Sequence, residues 1–335
     1  MICGLITSNK IGKLKTKGNI IMYRIGIDLG GTNIVAAVVD DDCKIIAKAK
    51  TPTATPRSAE EIFDDIAKVA KQSVDEAGLT MDDIASVGMG SPGTVNAEGV
   101  IEYANNLGFD HIPAKEMLIE RLGCQNVYIE NDANCAALGE AVAGCGHGAK
   151  DFVAVTLGTG VGSGIIVDGK IVSGSNNAGG ECGHTVIVVD GEPCTCGRKG
   201  CWEAYASATA LINQTKRAME EYPDSVMHEL AAEEGKVSGR TAFDAMRRGD
   251  IAGIKVVDKY NKYVACGLIN LVNIFQPEVI CIGGGICNEG ETLLRPIRRY
   301  VESERYSVYS KVQSKICKAE LGNDAGIIGA ALLGR

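Results

Sequence analysis

The sequence is 335 residues long, 45% hydrophobic and 23% charged, with a formal net charge of −8. This length suffices for two domains that each bury a core, and the composition is that of an ordinary globular protein. The negative balance, with no cluster of Lys and Arg beyond the first sixteen residues, argues against nucleic acid as a partner, and no apolar run reaches the roughly 18 residues that cross a bilayer.

The 13 cysteines are many and odd in number. Because no secretory signal precedes them, a disulfide framework is disfavoured and a reducing cytoplasm is the expected location. Residues 1–21 carry neither helical nor strand periodicity, and strong patterning starts at Met22. We expect a disordered extension over 1–21 and a functional start at Met22.

A strand, a Gly-rich turn and a second strand follow. Ile25 and Ile27 alternate into the segment Asp28-Leu-Gly-Gly-Thr-Asn, and a β-branched run completes the predicted hairpin. Gly30 and Gly31 let backbone amides approach an anion, Thr32 offers a hydroxyl, and Asp28 offers a carboxylate for a metal ion. Taken alone, this turn is weak evidence, because many hairpins contain it.

The same unit recurs about 130 residues later. The apolar run 152–157 leads into a second glycine loop that contains Thr159 and Gly160, and residues 165–167 form the second arm. Two such hairpins predict a duplicated α/β unit in which each half supplies one phosphate loop. Both loops open into strands rather than helices, and Ile171 stands where a P-loop needs Ser or Thr, so we reject a dinucleotide-binding or P-loop assignment.

Between the hairpins, residues 58–77 are predicted to be helical and 84–89 to form a buried strand. Asn105 and Asn106 follow among loop residues, where they serve either as turn formers or as sugar contacts. A short strand at 127–129 then reaches Asn131 and Asp132, ahead of a helix predicted from Cys135. Asp132 is either a working residue at a strand end or the N-cap of that helix.

The segment 181–203 places one His and three Cys within a short span, bracketed by two carboxylates. His184, Cys194, Cys196 and Cys201 have the ligand types of a closed structural zinc site, whereas unconnected buried thiols and a core His are the alternative. Gly197 and Gly200 provide the tight turns. Glu181 and Glu203 are not needed by such a site and remain available to a small molecule. Since the phosphate loops lie on other hairpins, zinc loss is expected to disturb sugar contacts rather than nucleotide contacts.

The remaining chain is predicted to contain a polar helical region at 206–248, an apolar helix at 256–275 and a strand at 279–282. Three glycines follow this strand, and Gly284 and Gly285 let a base or ribose lie against bare backbone. The small-residue helix at 325–333 is expected to pack back on the first domain.

Together these motifs resemble the ROK family (repressors, open reading frames and sugar kinases), and within it the bacterial glucokinases in particular. The resemblance covers residues 22–335. It rests on Asp28-x-Gly-Gly-Thr, Asn131-Asp-Ala-Asn, Gly158-Thr-Gly, Glu181-x-Gly-His, Cys194-x-Cys-Gly with Gly200-Cys, and Gly283-Gly-Gly, supported by Asn105-Asn-Leu-Gly and Trp202-Glu. It implies a duplicated actin/hexokinase-like, ribonuclease H-like α/β fold of two domains with a cleft between them.

The resemblance also implies ATP-dependent phosphorylation of the 6-hydroxyl of glucose, with Asp132 as general base. It assigns the sugar hydroxyls to Asn106, Asn131, Asp132, Glu181, His184 and Glu203. It assigns ATP and its Mg²⁺ to Asp28, Gly30, Gly31, Thr32, Thr159, Gly160, Gly284 and Gly285. Structural Zn²⁺ would be held by His184, Cys194, Cys196 and Cys201, and a homodimer is usual in this family.

The expected domains are a small one at 22–134, completed by the helix at 325–335, and a large one at 135–324 with the zinc loop. Other kinases of the family, for N-acetylmannosamine or fructose, share these motifs and stay open as alternatives. A repressor of the family would need an N-terminal helix-turn-helix domain, for which about twenty unpatterned residues leave no room. A sugar sensor without catalysis would not need the intact base and phosphate loops.

Overall fold

The computed structural model describes residues 22–335, together with the backbone of residues 15–16 and 19–20. Strands β1 (Lys15–Thr16) and β2 (Asn19–Ile20) pair antiparallel, a short pairing that the sequence pattern did not indicate. The rest of the extension expected to be disordered lies outside the described residues.

The strands of the main body are β3 (Tyr23–Leu29), β4 (Asn33–Val39), β5 (Ile45–Pro52), β6 (Ile84–Ser91), β7 (Thr94–Val95), β8 (Ile101–Ala104), β9 (Phe109–Ile112), β10 (Val127–Asn131), β11 (Phe152–Leu157), β12 (Val161–Val167), β13 (Lys170–Ile171), β14 (Val279–Gly283) and β15 (Lys315–Lys318). The helices are α1 (Ala59–Glu76), α2 (Ala114–Leu122), α3 (Asp132–Val142), α4 (Glu203–Ala206), α5 (Ala208–Glu221), α6 (Met227–Glu234), α7 (Thr241–Arg247), α8 (Ile251–Phe275), α9 (Glu291–Glu304) and α10 (Ala325–Leu332).

The chain divides into two compact units. Unit 1 contains the described residues up to Gly139, with Ser173–Ala178 and Asn323–Arg335, and unit 2 contains Glu140–Val172 and Gly179–Gly322. The first division therefore falls after Gly139 rather than after Asn134. The reason is that α3 runs on past that position, and Gly139 packs so closely on α10 that a Cβ there would lie 2.2 Å from the Ala325 carbonyl oxygen.

Unit 1 is built on a five-stranded sheet of order β10-β6-β3-β4-β5. Strand β3 pairs parallel with β6 and antiparallel with β4. Helix α1 begins at the Ser58 N-cap, where the Ser58 and Glu61 side chains form a capping box, and its apolar stripe is buried. This confirms the helix predicted at 58–77, and Gly78 follows its end with a φ of +70°.

Helix α10 packs on this sheet through glycines, as the small-residue pattern predicts. A Cβ at Gly26 in β3 would lie 1.9 Å from the Ile327 carbonyl oxygen, and one at Gly88 in β6 would lie 1.8 Å from that of Ala330. Glycine at both positions therefore lets the helix backbone lie directly on the strands.

Unit 2 is built on a second five-stranded sheet, of order β13-β12-β11-β14-β15. One face carries Val153, Val155, Ile280 and Ile282, which belong to a core shared with the apolar side of α8. The predicted helix at 256–275 begins earlier than expected, at Ile251, because Asp250 caps it by accepting a hydrogen bond from the Gly253 backbone N–H.

The two sheets have the same topology. In each, an antiparallel hairpin starts the sheet, a third antiparallel strand extends its second arm, and two parallel strands are added beside its first arm. This confirms the duplication predicted from the two Gly-rich hairpins. The predicted helical region 206–248 is instead three separate helices, because Pro223, Gly235 and Gly239 interrupt it. No helix in the described residues is both long and apolar enough to span a membrane.

Candidate active site

The first Gly-rich turn of unit 1 connects β3 to β4. It is closed by a hydrogen bond from the Gly30 N–H to the Asn33 carbonyl at 2.9 Å. Thr53, which is fully buried, fastens the turn twice: its hydroxyl donates to the Gly30 carbonyl at 2.6 Å, and its N–H donates to the Thr32 carbonyl at 2.9 Å. The turn is thus held rigidly by a neighbouring segment.

Asn106 lies beside this turn, in a short 3₁₀ helix that spans Asn105–Leu107. A Cβ placed on Gly31 would lie 3.7 Å from Asn106 Nδ2. The structure therefore brings one sugar-contact residue predicted in unit 1 next to one phosphate-loop residue of the same unit. Asn105, its neighbour, accepts a hydrogen bond from the Tyr103 hydroxyl at 3.1 Å, which is a local structural role.

Asp28, at the end of β3, is a mostly buried carboxylate in an environment that disfavours its charge. Burial, and secondly the negative charge of Asp132, raises the pKa of Asp28 to about 6, while Lys48 acts in the opposite direction. Asp28 also lies near the start of α10, since a Cβ at Gly326 would be 3.8 Å from its carboxyl carbon. Two carboxylates that repel one another in this way favour a bound cation.

Asn131 and Asp132 stand where β10 passes into α3. The Asn131 Oδ1 accepts hydrogen bonds from the N–H groups of Ala133 at 2.9 Å and Asn134 at 3.3 Å, and its Nδ2 donates to the Gly93 carbonyl at 3.1 Å. These are the contacts of a helix cap. The capping role that was one alternative for Asp132 is therefore filled by Asn131.

Asp132 is instead the first residue of α3 and is exposed. The helix starts three residues earlier than the predicted Cys135 because this cap is at Asn131. The Asp132 Oδ1 accepts from the Ala133 N–H at 2.8 Å. Its carboxylate thus lies at the N-terminus of the helix, where a general base would be held in a fixed position.

The second Gly-rich loop, in unit 2, connects β11 to β12. The Gly158 N–H donates to the Gly160 carbonyl at 3.0 Å. The start of α5 holds the loop from outside, because the Ala208 N–H donates to the Gly158 carbonyl and the Thr209 hydroxyl donates to the Thr159 carbonyl, both at 2.8 Å. The loop is thus as firmly fixed as its counterpart in unit 1.

The glycine triplet lies at the same edge of the unit 2 sheet as this loop. Strands β11 and β14 are parallel neighbours, so their carboxyl ends meet there. Gly284 has a φ of +94°, and a Cβ on it would lie 2.2 Å from the Leu157 carbonyl oxygen, so no other residue fits. Nothing lies within 4 Å of a Cβ placed on Gly285. Flat, bare backbone is therefore present beside the Gly158–Gly160 loop.

The predicted metal ligands of the segment 181–203 come together. One ligand atom from each of His184, Cys194, Cys196 and Cys201 lies within 4.8 Å of all the others. The His184 Nδ1 is 3.6 Å from the Cys194 Sγ, and the Cys196 and Cys201 sulfurs are 3.6 Å apart. Hydrogen bonds from the backbone and side chain of Arg198 lower the pKa of the Cys196 thiol to about 6, which favours the thiolate.

Local geometry explains how so short a segment gathers these ligands. Gly197 and Gly200 have φ values of +85° and +78°, as expected for the tight turns. A Cβ on Gly200 would lie 1.8 Å from the Val188 carbonyl oxygen, so the chain there admits only glycine. These turns bring together His184, Cys194, Cys196 and Cys201. One His and three Cys are a donor set that suits Zn²⁺.

Trp202 anchors this segment to the core of unit 2. It is fully buried, its Nε1 donates to the Tyr263 carbonyl at 2.8 Å, and a Cβ on Gly267 of α8 would lie 2.0 Å from its ring carbon Cε2. The ring thus lies flat on a helix that has glycine at the contact. Because Glu203 follows Trp202 directly, the anchoring of Trp202 also fixes the position of Glu203.

Glu203 joins the segment to the Gly158–Gly160 loop. Its Oε2 accepts a hydrogen bond from the Val161 N–H at 2.9 Å, and its Oε1 accepts one from the Thr195 hydroxyl at 3.0 Å. A Cβ on Gly160 would lie 2.3 Å from Oε2, so the carboxylate sits directly on the loop. The Gly158–Gly160 loop lies on its own hairpin, as expected, but a side chain of the 181–203 segment contacts it, which the sequence did not predict.

The two other residues predicted to contact sugar from this segment lie at its first end. Glu181 is exposed, and its carbonyl accepts a hydrogen bond from the His184 N–H at 3.1 Å. The Ser163 hydroxyl accepts from the Cys182 N–H at 3.1 Å and fixes this end to β12. Glu181, His184 and Glu203 all belong to unit 2, whereas Asn106, Asn131 and Asp132 belong to unit 1.

Three supporting residues escaped the sequence reasoning: Thr53, Thr209 and Trp202 in its anchoring role. Thr53 and Thr209 act on backbone carbonyls that are distant in sequence, and no local pattern marks such contacts. Trp202 carried a signal, because a lone Trp next to a glycine-rich metal motif is a strong candidate for an anchor, and Gly267 inside an apolar helix is a candidate for its seat.

Known proteins resemble this chain along nearly its whole length. A model of the ROK family matches residues 24–335. The chain is 35% identical to a glucokinase from Thermotoga maritima, over 92% of this chain and 95% of that protein. It is 36% identical to a glucokinase from Streptomyces coelicolor, over 93% and 97% of the two chains.

A solved structure shares the fold. The crystal structure of a ROK family glucokinase from Streptomyces griseus, in complex with glucose and AMPPNP, has a TM-score of 0.74 and 35% identity, covering 93% of this chain and 98% of that one. The duplicated sheet and this similarity confirm the predicted actin/hexokinase-like α/β class.

Proposed function

This chain belongs to the ROK family, and we propose that it is a glucokinase that transfers the γ-phosphoryl group of ATP to the 6-hydroxyl of glucose. Relatives named glucokinase match it over more than nine-tenths of its length, which supports this choice within the family. Phosphoryl transfer requires in-line positioning and charge neutralisation, and rigid Gly-rich loops supply both.

The observation that carries the proposal is that Asn131, and not Asp132, caps α3. Asn131 caps α3, and Asp132 follows it as an exposed carboxylate whose charge reaches Asp28. In the proposed reaction Asp132 accepts the proton of the 6-hydroxyl as the oxygen attacks phosphorus. A positioned base of this kind contributes roughly 10²–10⁴-fold to the rate.

The nucleotide is proposed to bind at the two Gly-rich loops and the glycine triplet. Gly30, Gly31 and Thr32, with Thr159 and Gly160, would hold the phosphates through backbone N–H groups and hydroxyls. Gly284 and Gly285 would lie against the adenosine. Mg²⁺ bound with ATP would neutralise phosphate charge, and the buried carboxylate of Asp28 fits a residue that helps to hold it.

The sugar is proposed to bind through Asn106, Asn131, Glu181, His184 and Glu203, in addition to Asp132. Asn131 keeps an amide N–H for a hydroxyl while its oxygen holds the helix. Glu203 is held at both oxygens and so offers its remaining lone pairs in a fixed direction. Fixed acceptors of this type discriminate strongly against a sugar that lacks the matching hydroxyl.

Zn²⁺ is proposed to be a structural ion held by His184, Cys194, Cys196 and Cys201. Their mutual spacing and their nitrogen and sulfur donors fit a closed tetrahedral site. The ion would keep Glu181, His184 and Glu203 in one arrangement. Cytoplasmic location is part of the proposal, because thiolate ligands need a reducing compartment.

A homodimer is also part of the proposal. Unit 2 exposes several large apolar side chains near the end of α9, among them Tyr306, Tyr309 and Val312, which are 92%, 98% and 80% exposed. A second copy is the partner that the family resemblance suggests for such a surface. Light scattering on the purified protein measures the mass directly.

A coupled assay of ADP release with glucose, mannose, fructose and N-acetylmannosamine tests the proposed function. We expect kcat/KM to be highest for glucose and the product to be glucose 6-phosphate by NMR. A higher kcat/KM for N-acetylmannosamine or fructose would transfer the assignment to another kinase of the family. Absence of ADP release with every sugar, by folded protein supplied with Mg²⁺, would contradict kinase activity.

A further inference from the structure

Three cysteines outside the 181–203 segment meet on one face of the unit 2 sheet. Cys281 in β14 and Cys317 in β15 are direct partners across these parallel strands. Their neighbours Ile280, Ile282 and Ile316 point into the core that contains α8. Because side chains alternate along a strand, Cys281 and Cys317 face the opposite side of the sheet.

The loop after α3 covers this side and brings the third cysteine. Cys145 is buried, and its sulfur lies within 4.8 Å of the Cys281 sulfur. The next residue along the same row of the sheet is Ala154, the partner of Cys281 in β11. A small side chain at that position leaves room for the thiols.

A buried carboxylate completes the group. Glu140 is 3% exposed, and an oxygen of its carboxylate lies within 4.8 Å of the sulfurs of Cys145 and Cys281, which also lie within that distance of each other. The carboxylate accepts hydrogen bonds from the N–H groups of Cys145, Glu320 and Leu321, at 3.2, 3.1 and 2.7 Å.

No cationic side chain balances this carboxylate. Among the described residues, none of the Lys, Arg or His side chains forms an ion pair with Glu140. Buried charges in proteins are normally paired or coordinate a metal ion. The three N–H groups orient the carboxylate, and the oxygen that accepts only from Leu321 keeps a lone pair for a metal ion.

The donor set and its spacing match a metal ion of one class. Thiolates select soft ions with a filled d shell, of which Zn²⁺ is the usual one in proteins. Ligands about 2.3 Å from a tetrahedral ion lie about 3.8 Å from one another. This is within the 4.8 Å that separates the ligand atoms of Glu140, Cys145 and Cys281, and Cys317 is the strand neighbour of Cys281 outside that group. Cys317 is only half-buried, so an ion can reach the group from that side.

We propose that Glu140, Cys145 and Cys281 form a second metal site, with the adjacent Cys317 turning toward the ion as the fourth ligand, and that this site binds Zn²⁺ or the chemically similar Cd²⁺. This second cysteine cluster is separate from the His184 group in sequence and in ligands. On binding, the thiols release their protons to water and the thiolates coordinate the ion. The ion would fasten the loop after α3 to strands β14 and β15 and thereby stabilise unit 2, because the unfolded chain does not hold the ligands together.

Metal titration of the full chain tests this site without reference to catalysis. Protein stripped of metal under reducing conditions is titrated with Cd²⁺, and bound metal is followed by thiolate-to-cadmium ultraviolet absorbance and by elemental analysis. We expect two equivalents for the unchanged chain. Cys281→Ser and Cys196→Ser should each bind one, since each removes a different site. Cys266→Ser, a half-buried cysteine in α8, is the matched control and should bind two.

Further variants keep the test decisive if Cys281→Ser does not fold by circular dichroism. Cys317→Ser changes the half-buried member and should also lose one equivalent. Glu140→Gln should weaken the second equivalent by about 10–100-fold and leave the first unchanged. One equivalent in the unchanged chain, or two in Cys317→Ser, would overturn the proposal. A disulfide between two of these cysteines that persists after treatment with reductant, detected by mass spectrometry, would also overturn it.

Discussion

The Oε2 of Glu203 accepts a hydrogen bond from the Val161 backbone N–H at 2.9 Å, across a separation of 42 residues in the chain. The same carboxylate accepts from the Thr195 hydroxyl through its other oxygen. One side chain therefore connects the segment that gathers the metal ligands to the loop proposed to hold phosphates. Sugar binding and nucleotide binding in unit 2 are expected to be coupled through it.

Two substitutions separate these roles of Glu203. Glu203→Ala removes both hydrogen bonds, so KM should rise for glucose and for ATP. Glu203→Gln keeps an oxygen for the Val161 N–H but loses the charge that a sugar hydroxyl prefers, so KM for glucose should rise about tenfold or more and KM for ATP should stay within about threefold. Steady-state kinetics in both substrates measures this split. Equal effects of Gln on the two KM values would contradict the proposed separation between the charge, which serves glucose, and the hydrogen bond to Val161, which serves ATP.

Zinc removal should damage both substrate sites, but not equally. Cys196→Ser is expected to lower zinc content by one equivalent and to raise KM for glucose by about 10–100-fold, because Glu181, His184 and Glu203 lose their common anchor. KM for ATP should rise by a smaller factor, through Glu203 and Val161. Cys266→Ser serves as the control. An unchanged KM for glucose in zinc-depleted, folded Cys196→Ser protein would contradict the structural role of the ion.

Asp28 is expected to lower stability at neutral pH when no nucleotide is present. Its pKa is raised from 3.8 to about 6, so the folded state binds its proton more tightly than the unfolded state. Stability therefore falls as pH rises from about 4 to about 6, and the loss is complete above that range. Asp28→Asn should stabilise the protein at pH 7.5 by at most about 3 kcal/mol, and the difference should disappear below about pH 4.

Calorimetric melting temperatures of both proteins across this pH range, without Mg²⁺ or ATP, measure the effect of Asp28. The same substitution should reduce kcat, since Asp28 is proposed to help hold Mg²⁺. If Asp28→Asn is less stable than the unchanged chain at pH 7.5, the ionised carboxylate does not destabilise the fold and the prediction is wrong.

Gly267→Ala should destabilise the protein although alanine is the better helix former. A Cβ there would lie 2.0 Å from the Trp202 ring, so the ring or α8 must shift, at a cost of about 1–3 kcal/mol. Displacing Trp202 should move Glu203 and raise KM for glucose. Asn270→Ala, at an exposed position of the same helix, is the control and should be neutral or slightly stabilising. Equal melting temperatures for the two variants would show that the Trp202 contact is not tight.

Much of the fold was predictable because its signals are local. The two Gly-rich hairpins, the capped helix α1 and the apolar helix α8 each carry their pattern within a short stretch. The repetition of the hairpins predicted the duplication, and the identical strand pairing in both sheets confirms it. Helix α9 also carried a usable signal, because Leu293, Leu294, Ile297 and Val301 form one buried stripe.

The rest depended on contacts that sequence spacing does not encode. Whether Asn131 or Asp132 caps α3 is decided by a difference of one residue in the helix start. The contact between Thr53 and Gly30 follows from how β4 pairs with β5, and that between Glu203 and Val161 from how two loops meet. Such contacts depend on how the backbone folds in three dimensions. The sequence therefore indicates the candidate residues but not the hydrogen bonds that connect them.

The substitution Asp132→Asn tests most directly whether Asp132 is the general base. The amide keeps the shape of the side chain but cannot take the proton of the 6-hydroxyl, so kcat should fall by at least roughly 10²-fold. Glucose affinity, measured by calorimetry on the same preparation, should change by no more than a few fold. The control is Asp75→Asn, at an exposed position of α1, which should leave kcat and glucose affinity unchanged. Folded Asp132→Asn that retains most of its kcat would contradict a role for Asp132 as the general base.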